Sequence, residues 1–383
     1  MRKITVEYID IASLYYSSYF NHGFDQLAKN VSDTNGHSVS LAVSLRTPHK
    51  IKPALADKSW QHLLFAMCLF RIQIGNDEFI ICIDTHDAST LDIEHQTEGY
   101  HLPLLQSVDI YYKVNFSPEM IRQTPLLKSF VNKIKPISQF FPLRPNRWIP
   151  FLRRIMLPTT MYGVRPGLRH GKPYVGHLHH AMERLRHLKN FQTFQSVLST
   201  RKLKKDIDVF FVTSFRQHPK HAKVMESRYR LMKELMEQHG LNVIAGFTSF
   251  SKLPARYRDA QTARLNQKEY LDKISRSRIV IYTQGIANCI SSKFSLFIAY
   301  GCVAVGEPII NNPEMSDMFP HLKEQFFSKS PYEIRDRVIE LTRNEETQKD
   351  LALLNIRLFD EYLSPEKTAQ RILNDINELS LNL

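Results

Sequence analysis

Residues 283–308 read TQGIANCISSKFSLFIAYGCVAVGEP, and this stretch decides the fold of the second half of the chain. It follows the apolar run RIVIY. A turn that contains glycine and serine then leads into a short apolar run with helical spacing, and CVAVG resumes a strand pattern. Strand, loop, short helix and strand in this order predict a parallel β-sheet connected through helices. In such sheets, ligands bind to the loops that leave the carboxyl ends of the strands.

The composition is that of a globular protein with a basic surface. The 383 residues are enough for two domains, and 43% of them are hydrophobic while 23% are charged. Because the chain has 51 Lys and Arg but only 38 Asp and Glu, its formal net charge is +13. We therefore expect one face to attract anions, which could be phosphates, nucleic acid or an acidic membrane surface.

The cysteines and the N-terminus point to a cytoplasmic protein. The four cysteines show no C-x-x-C pair and have apolar neighbours, which predicts buried reduced thiols. MRKITVEYID has the pattern of a strand and not of a signal peptide. No window approaches the roughly 18 apolar residues of a spanning helix, so we predict that the protein is not integral to a membrane.

The alternation of patterns predicts an α/β fold in two halves. In the first half, the sequence predicts a turn over 13–23, a helix over 24–33 and an apolar helix over 59–73, with strands between them. The second half repeats the alternation after a charged linker at 199–206. We found no internal sequence repeat.

The loop that follows RIVIY has the residues of a phosphate site. Gly285 allows close approach of the backbone, and Ser291 and Ser292 can cap a helix or donate to an oxyanion. Lys293 adds a full positive charge, and Asn288 lies in the same turn. The loop therefore predicts a cradle for a phosphate or diphosphate.

A second basic loop follows the strand DVFFV. The sequence TSFRQHPKHAK places Arg216, Lys220 and Lys223 at or just beyond the carboxyl end of that strand. A diphosphate between the two loops would be held from two sides. A role as solvated surface lysines remains open for Lys220 and Lys223.

The segment 266–312, NQKEYLDKISRSRIVIYTQGIANCISSKFSLFIAYGCVAVGEPIINN, resembles the nucleotide-sugar-binding half of GT-B glycosyltransferases. Exostosin-like and capsule or O-antigen transferases share its layout, and the resemblance extends over roughly 206–312. It implies two Rossmann-like domains that face each other across a cleft. The implied domains are an acceptor-binding domain at 1–198, a donor-binding domain at 207–364 and a final helix at 365–383 that packs back toward the first domain.

The resemblance also assigns residues to the donor site. Arg216 is similar to the basic residue after the first strand of the donor domain, and Ser291, Ser292 and Lys293 are similar to the donor-diphosphate loop. Many family members carry a glutamate in the next helix that binds the donor ribose, but this chain has Ser295 and Leu296 there. Glu307 follows the next strand and is a substitute for that glutamate or a solvated side chain.

In an inverting enzyme of this family, the N-terminal domain would supply the general base. Such a base is a carboxylate or an imidazole at a strand end or loop. The candidates are His22, Asp84, His86 and Asp87, with Asp10 as a further carboxylate. Capping of a turn is an open alternative for Asp84 and Asp87.

Several site classes are not supported by the sequence. The spacing D-x-x-D at Asp84 and Asp87 differs from the metal-binding D-x-D, so no divalent metal and no cofactor besides the donor are expected. The histidines at 177–187 lack a zinc-ligand pattern. The phosphate-loop, nucleophile-elbow and dinucleotide motifs do not occur, and neither does a nucleic-acid-binding motif.

The basic and aromatic segment at 128–158 has two readings. Phe140, Phe141 and Trp148 alternate with arginines, which suits peripheral contact with an anionic bilayer. The aromatic residues could instead pack into the core of the first domain.

Together with these patterns, the resemblance to GT-B glycosyltransferases implies a metal-independent glycosyltransferase. It would move a sugar from a nucleotide-activated donor to a saccharide or lipid-linked acceptor in bacterial-type surface polysaccharide synthesis, in the cytoplasm or at the inner face of the membrane. The alternatives are a sugar-nucleotide epimerase, a polyol-phosphate transferase, or a non-catalytic protein that binds nucleic acid or anionic membrane.

Overall fold

The structure is a computed structural model that describes residues 3–9, 14–30, 38–44, 47–88, 99–145, 188–285 and 288–381. The chain divides into two compact units. One comprises Met1–Phe194 with Tyr362–Leu383, and the other comprises Gln195–Glu361. Asp10, Trp148 and the histidines at 177–187 lie outside the described residues.

The first unit contains a mixed β-sheet. In its described part, six strands lie in the order β2-β1-β3-β4-β5-β6. They are β1 Lys3–Ile9, β2 Ser38–Val43, β3 Met67–Ile74, β4 Asp77–Asp84, β5 Ile110–Lys113 and β6 Ile134–Pro136. Strand β3 is antiparallel to β1 and β4, and the other neighbouring strands are parallel.

The predicted helix over 59–73 is wrong. Only Gln61–Ala66 is helical, as a 3-10 helix, and strand β3 follows at once. Ile74 pairs with Asp77, so a two-residue turn joins β3 to β4, and Gly75 in that turn has φ of 62°. A glycine at the first position suits such a turn because it adopts positive φ without a steric penalty. The tight hairpin therefore forces the apolar run before it to extend as a strand.

The first helix of the unit also differs from the prediction. The predicted turn over 13–23 and helix over 24–33 are replaced by α1 Leu14–Leu27, so His22 lies in a helix and not in a loop. Tyrosine and serine are indifferent helix formers, but here they are held by buried contacts. Ser17 Oγ accepts a hydrogen bond from Tyr8 Oη at 3.0 Å, and Ser18 Oγ accepts one from Leu143 N at 3.0 Å.

Short helices cover the sheet of the first unit. They are α2 Lys52–Ala56, α3 Leu102–Ser107, α4 Pro118–Gln123 and α5 Pro125–Lys128. The core between these helices and the sheet includes Leu69, Ile80, Leu104 and Leu105.

The aromatic residues at the described end of segment 128–158 belong to the core. Phe140 and Phe141 are both buried. Phe140 contacts the rings of Tyr15 and Tyr16, and Phe141 contacts the ring of Tyr19. Membrane contact through Phe140 and Phe141 is therefore wrong, because helix α1 covers both rings.

The second unit contains a parallel sheet. Its described strands are β7 Ile207–Ser214, β8 Val243–Thr248, β9 Ser277–Tyr282 and β10 Val303–Gly306, in the order β10-β9-β7-β8. Its helices are α6 Phe194–Ser199, α7 Ala222–Met236, α8 Gln267–Ser275, α9 Lys293–Ala299, α10 Pro313–Met318, α11 His321–Gln325, α12 Pro331–Arg343 and α13 Glu345–Leu358. Val209, Met232, Ile279 and Val338 lie in its core. The predicted α/β class, with one sheet in each half, is confirmed.

The final helix, α14 Pro365–Leu381, belongs to the first unit and packs on α1. A Cβ atom added to Gly23 would lie 2.0 Å from Pro365 O, so only glycine permits this approach. Tyr19 Oη donates to Leu363 O, and Tyr112 Oη donates to an oxygen of Asp375 at 2.7 Å. None of the described helices has both the length and the apolar character to cross a membrane.

Candidate functional site

The chain order of the second sheet creates a switch point between β7 and β9. Strand β8 lies on one side of β7, and the chain then crosses to the other side to form β9 and β10. The loops that leave β7 and β9 therefore diverge onto opposite faces of the sheet. In open parallel sheets, the crevice at the carboxyl ends of two such strands is where ligands bind.

The loop after β9 is held in a tight conformation. Gly285 N donates to Cys289 O at 2.9 Å, and a Cβ atom on Gly285 would lie 2.1 Å from Cys289 Sγ. Asn288 has φ of 58°, a left-handed conformation that is uncommon outside glycine. Asn311 Nδ2 donates to Asn288 O at 3.2 Å and fixes this backbone. Residues 286–287 lie outside the described part.

Lys293 extends from this loop toward the end of β7. Its Nζ lies 4.5 Å from the ring centroid of Tyr270, and Tyr270 Oη donates to Val212 O at 3.5 Å near the carboxyl end of β7. Ser291 Oγ accepts from Lys293 N at 3.3 Å, whereas Ser292 precedes α9 without capping it. Lys293, the first residue of α9, is therefore held beside the switch point between β7 and β9.

The loop after β7 contributes Arg216, whose side chain is exposed. Its backbone N–H points at Met225 Sδ, 3.4 Å away on helix α7. This contact places the backbone of Arg216 beside the first turn of α7, the helix that also carries Arg228. Lys220 lies in the 3-10 turn Pro219–His221, and its side chain is outside the described part.

Arg228 is a site residue that the sequence analysis missed. From helix α7 it donates from Nε to Thr283 Oγ1 at 3.0 Å and from Nη2 to Gln284 O at 2.9 Å. Burial, joined by the charge of Arg216, lowers the pKa of its guanidinium. The helical spacing of Met225, Arg228 and Met232 could have revealed it, because it puts an arginine on the buried face of α7.

Glu307 holds the same loop from the other side. Its Oε2 accepts a hydrogen bond from Gln284 N at 2.7 Å, and Gln284 Nε2 donates to Pro308 O at 2.7 Å. Burial raises the pKa of Glu307, and the hydrogen bond from Gln284 and the charge of Arg228 oppose that effect. Arg228 and Glu307 together fix both the C=O and the N–H of Gln284. Binding of ribose by Glu307 stays a prediction.

The first unit has a buried charged cluster at the carboxyl end of β4. Asp84 and Lys113 are both fully buried, and Lys113 Nζ lies 2.9 Å from Asp84 Oδ2. Tyr111 Oη donates to the same oxygen at 2.6 Å. Burial alone would raise the pKa of Asp84, but the charge of Lys113 and the hydrogen bond from His86 hold that pKa well below its usual range.

His86 is oriented by Asp84. The backbone N–H and the ring Nδ1 of His86 both lie 2.9 Å from Asp84 Oδ1. An ionised carboxylate can only accept hydrogen bonds, so the proton of the neutral ring lies on Nδ1 and Nε2 is an acceptor. The side chain is 7% exposed, and Nε2 is buried without a hydrogen-bond partner among the described residues. The half-exposed ring of Phe65 lies 5.3 Å from the imidazole.

The other two candidate bases differ from His86 in their surroundings. Asp87 is exposed and follows His86 by one residue in the chain. His22 is buried in α1 with its ring 5.3 Å from that of Phe194, and burial lowers its pKa to about 4. The structure brings Asp84 and His86 into direct contact and places His22 within helix α1 and not in the strand-to-helix loop where it was predicted.

Stability should decline below pH 6.5 because of two buried histidines. Burial lowers the pKa of both His22 and His101 from 6.5 to about 4. Between pH 6.5 and 4 the unfolded chain binds protons that the folded chain does not, so the free energy of unfolding falls as the pH falls through this window. Urea unfolding at several pH values measures it. In His22→Gln the slope should be shallower, and an unchanged slope would contradict the assignment.

Within the described ranges, the side chains of histidine, cysteine, aspartate and glutamate form no group of three or more that could hold a metal ion. All four cysteines are buried, which confirms the prediction of buried thiols.

Comparisons with known proteins gave matches only among solved structures. No family model matches the chain, and no curated protein matches it. The structure is similar to a single-residue mutant of S. aureus TarM in complex with fondaparinux, alpha-GlcNAc-glycerol and UDP, at 10% identity over 76% of this chain and 50% of that one, with a TM-score of 0.41. The chain thus spans half the length of TarM.

Two further matches extend over nearly the full length of both chains. A putative UDP-N-acetylglucosamine 2-epimerase from Listeria monocytogenes is 12% identical, with 100% and 98% coverage and a TM-score of 0.39. An alpha-glucosyltransferase in complex with UDP-glucose and DNA that contains an abasic site is 12% identical, with 98% and 99% coverage and a TM-score of 0.40. All three TM-scores are below 0.5, so the description of the fold rests on this chain's own strands and helices.

Proposed function

We propose that the chain transfers a glycosyl group from a nucleotide-activated sugar to a hydroxyl group of an acceptor. The observation that carries the proposal is the switch point between β7 and β9, at the carboxyl ends of two parallel strands. Arg216 lies in the loop after β7, Lys293 follows the loop after β9, and Arg228 donates a hydrogen bond to that second loop. A diphosphate suits this place because it is anionic and has several acceptor oxygens. The acceptor is a saccharide or a lipid-linked glycan, in surface polysaccharide synthesis.

The second unit would act on the leaving group. The bond between the anomeric carbon and the diphosphate breaks, and the electron pair leaves with the nucleoside diphosphate. Arg216 and Lys293 stabilise the negative charge that develops on the diphosphate oxygens. Arg228 acts indirectly, since it holds the loop from Thr283 to Gln284 in place.

The first unit would act on the acceptor. His86 Nε2 accepts the proton of the acceptor hydroxyl while its oxygen forms the new bond to the anomeric carbon. Asp84 is a positioning residue, because its carboxylate keeps the proton of His86 on Nδ1. A base needs an acceptor atom that is not already engaged, and His86 Nε2 has no hydrogen-bond partner among the described residues and lies on a ring beside the half-exposed Phe65.

A thermal-shift screen tests the donor site. Nucleoside diphosphates and their sugars (UDP, GDP, CDP), together with CMP, are each tested, and a ligand at 100 times its dissociation constant should stabilise the chain by about 2.7 kcal/mol. Arg216→Ala and Lys293→Ala should each lower the affinity for the ligand that binds best by roughly tenfold to a hundredfold, since each removes a charge-assisted hydrogen bond. Lys349→Ala is the matched control, because Lys349 pairs with Glu345 on the exposed side of α13.

Other outcomes would point to the alternatives. Ligand affinity that is unchanged in both site variants would contradict the proposed cradle. Turnover of a sugar nucleotide without any acceptor would favour an epimerase. Salt-dependent binding of RNA or DNA that survives both substitutions would favour a nucleic-acid-binding protein.

A further inference from the structure

An exposed aromatic ring stands at the carboxyl edge of the second sheet. Phe250 follows β8 and is 88% exposed, the highest value among the large apolar side chains of the described residues. The guanidinium carbon of Arg264 lies 3.8 Å from the centroid of its ring. One face of the ring is therefore covered by a cation, and the opposite face is open for stacking.

The register of the sheet places this ring beside Arg216. Ser214 pairs with Thr248 in the parallel ladder of β7 and β8, and the same offset puts Arg216 level with Phe250. The contact from Gln217 Nε2 to Ser251 Oγ at 3.5 Å continues this register beyond the strands. Phe250 therefore follows the strand next to β7, in the loop beside the one that carries Arg216.

Arg264 reaches the same level from the other side. Gln261 forms a parallel bridge with Phe247, and Thr262 N donates to Phe247 O at 3.0 Å. The segment thus runs beside β8 in the same direction, which brings Arg264 level with Phe250. Arg216, Phe250 and Arg264 form a row along the edge of the sheet.

No carboxylate of the described residues compensates the charge of this row. Among the described residues, neither Arg216 nor Arg264 forms an ion pair with a carboxylate, whereas the nearby Arg256 contacts Glu226 at 2.6 Å. The base of the row is rigid, since Phe215 packs its ring against those of Phe247 and Tyr257. A planar group that carries a phosphate fits an open aromatic face next to an unpaired arginine.

We infer that Phe250, backed by Arg264, binds the nucleobase of the nucleotide-activated donor. This inference rests on the proposed function, and it adds the base-binding subsite. The base stacks on the open face of Phe250, and Arg216 contacts a phosphate one strand away. Stacking on an aromatic side chain tolerates different bases, so selection among bases would come from other contacts.

Calorimetric titration of the full chain with UDP, GDP and inorganic pyrophosphate tests the subsite. Phe250→Ala should weaken the affinity for UDP or GDP, whichever binds more tightly, by about tenfold to a hundredfold, the range expected for one stacked base. It should change pyrophosphate affinity by less than about twofold, because pyrophosphate has no base to stack. Phe250→Tyr should restore nucleotide affinity, and Phe327→Ala is a matched control at another exposed phenylalanine of the same unit.

The possible results separate the two proposals. Equal loss of nucleotide and pyrophosphate affinity in Phe250→Ala, or no loss of either, would overturn the proposed base subsite but not the proposed diphosphate site. If neither nucleotides nor pyrophosphate bind the unmodified chain, both proposals are overturned.

Discussion

Replacing Lys113 with methionine should lower the free energy of unfolding by about 3–5 kcal/mol, the range for a buried pair that loses one partner. Lys113 and Asp84 are both fully buried at the carboxyl end of β4 and β5. Methionine keeps most of the volume of the lysine stem but leaves the Asp84 carboxylate without its cation. Urea unfolding, monitored by circular dichroism, measures the loss.

Two further variants show whether the uncompensated charge is the cause. Asp84→Asn combined with Lys113→Met removes both charges, so it should recover at least half of the loss. Lys135→Met breaks the partly exposed pair with Asp375 and should cost only about 1 kcal/mol or less. If Lys113→Met cost no more than Lys135→Met, the buried pair would not contribute as described.

Replacing His86 with glutamine should lower kcat by about a hundredfold to ten-thousandfold, the usual contribution of a general base. Glutamine is close to histidine in size and polarity, but it cannot take up a proton at neutral pH. Donor affinity should not change, because the proposed donor site lies on the second unit. Turnover with a saccharide acceptor measures kcat, and a separate titration with the nucleotide measures donor affinity.

Matched variants identify the base among the candidates. His22→Gln should leave kcat within about threefold, since His22 is buried on helix α1, and Asp87→Asn should behave in the same way. Asp84→Asn should lower kcat as His86→Gln does, because an amide no longer holds the proton of His86 on Nδ1. A large loss of kcat in His22→Gln and none in His86→Gln would transfer the role to His22.

The second unit was the more predictable half of the chain. In a parallel sheet, strands are buried on both faces and read as short continuous apolar runs, such as DVFFV, RIVIY and CVAVG. The loops between such runs and their helices are then fixed in position by the topology. For this reason the sequence could place Gly285 and Lys293 in one loop and Arg216 in another before the sheet order was known.

The first unit shows where a local pattern is insufficient. The run from Leu63 to Phe70 is apolar throughout, so its periodicity does not distinguish a helix from a buried strand. The decisive signal was Gly75 with Asn76, which form the turn of the hairpin. Helix α1 was missed because its serines are stabilised by tertiary contacts, with Tyr8 on strand β1 and with Leu143, which is 125 residues from Ser18.

The polar contacts of the candidate site depend on tertiary structure. Asp84 and Lys113 are 29 residues apart, and Arg228 and Thr283 are 55 residues apart. The sequence could suggest that Asp84 lies at a strand end, but it could not identify the cation that neutralises it. It also could not show that Arg228 fixes the loop after β9, although the spacing on α7 was a usable signal.

The position of helix α14 against Gly23 has a consequence for synthesis of the chain on the ribosome. Residues 195–361 emerge after most of the first unit and before the helix that completes it. While the second unit is translated, the surface of α1 around Gly23 that α14 later covers is therefore exposed. A premature stop before residue 365 would leave that surface of α1 permanently uncovered.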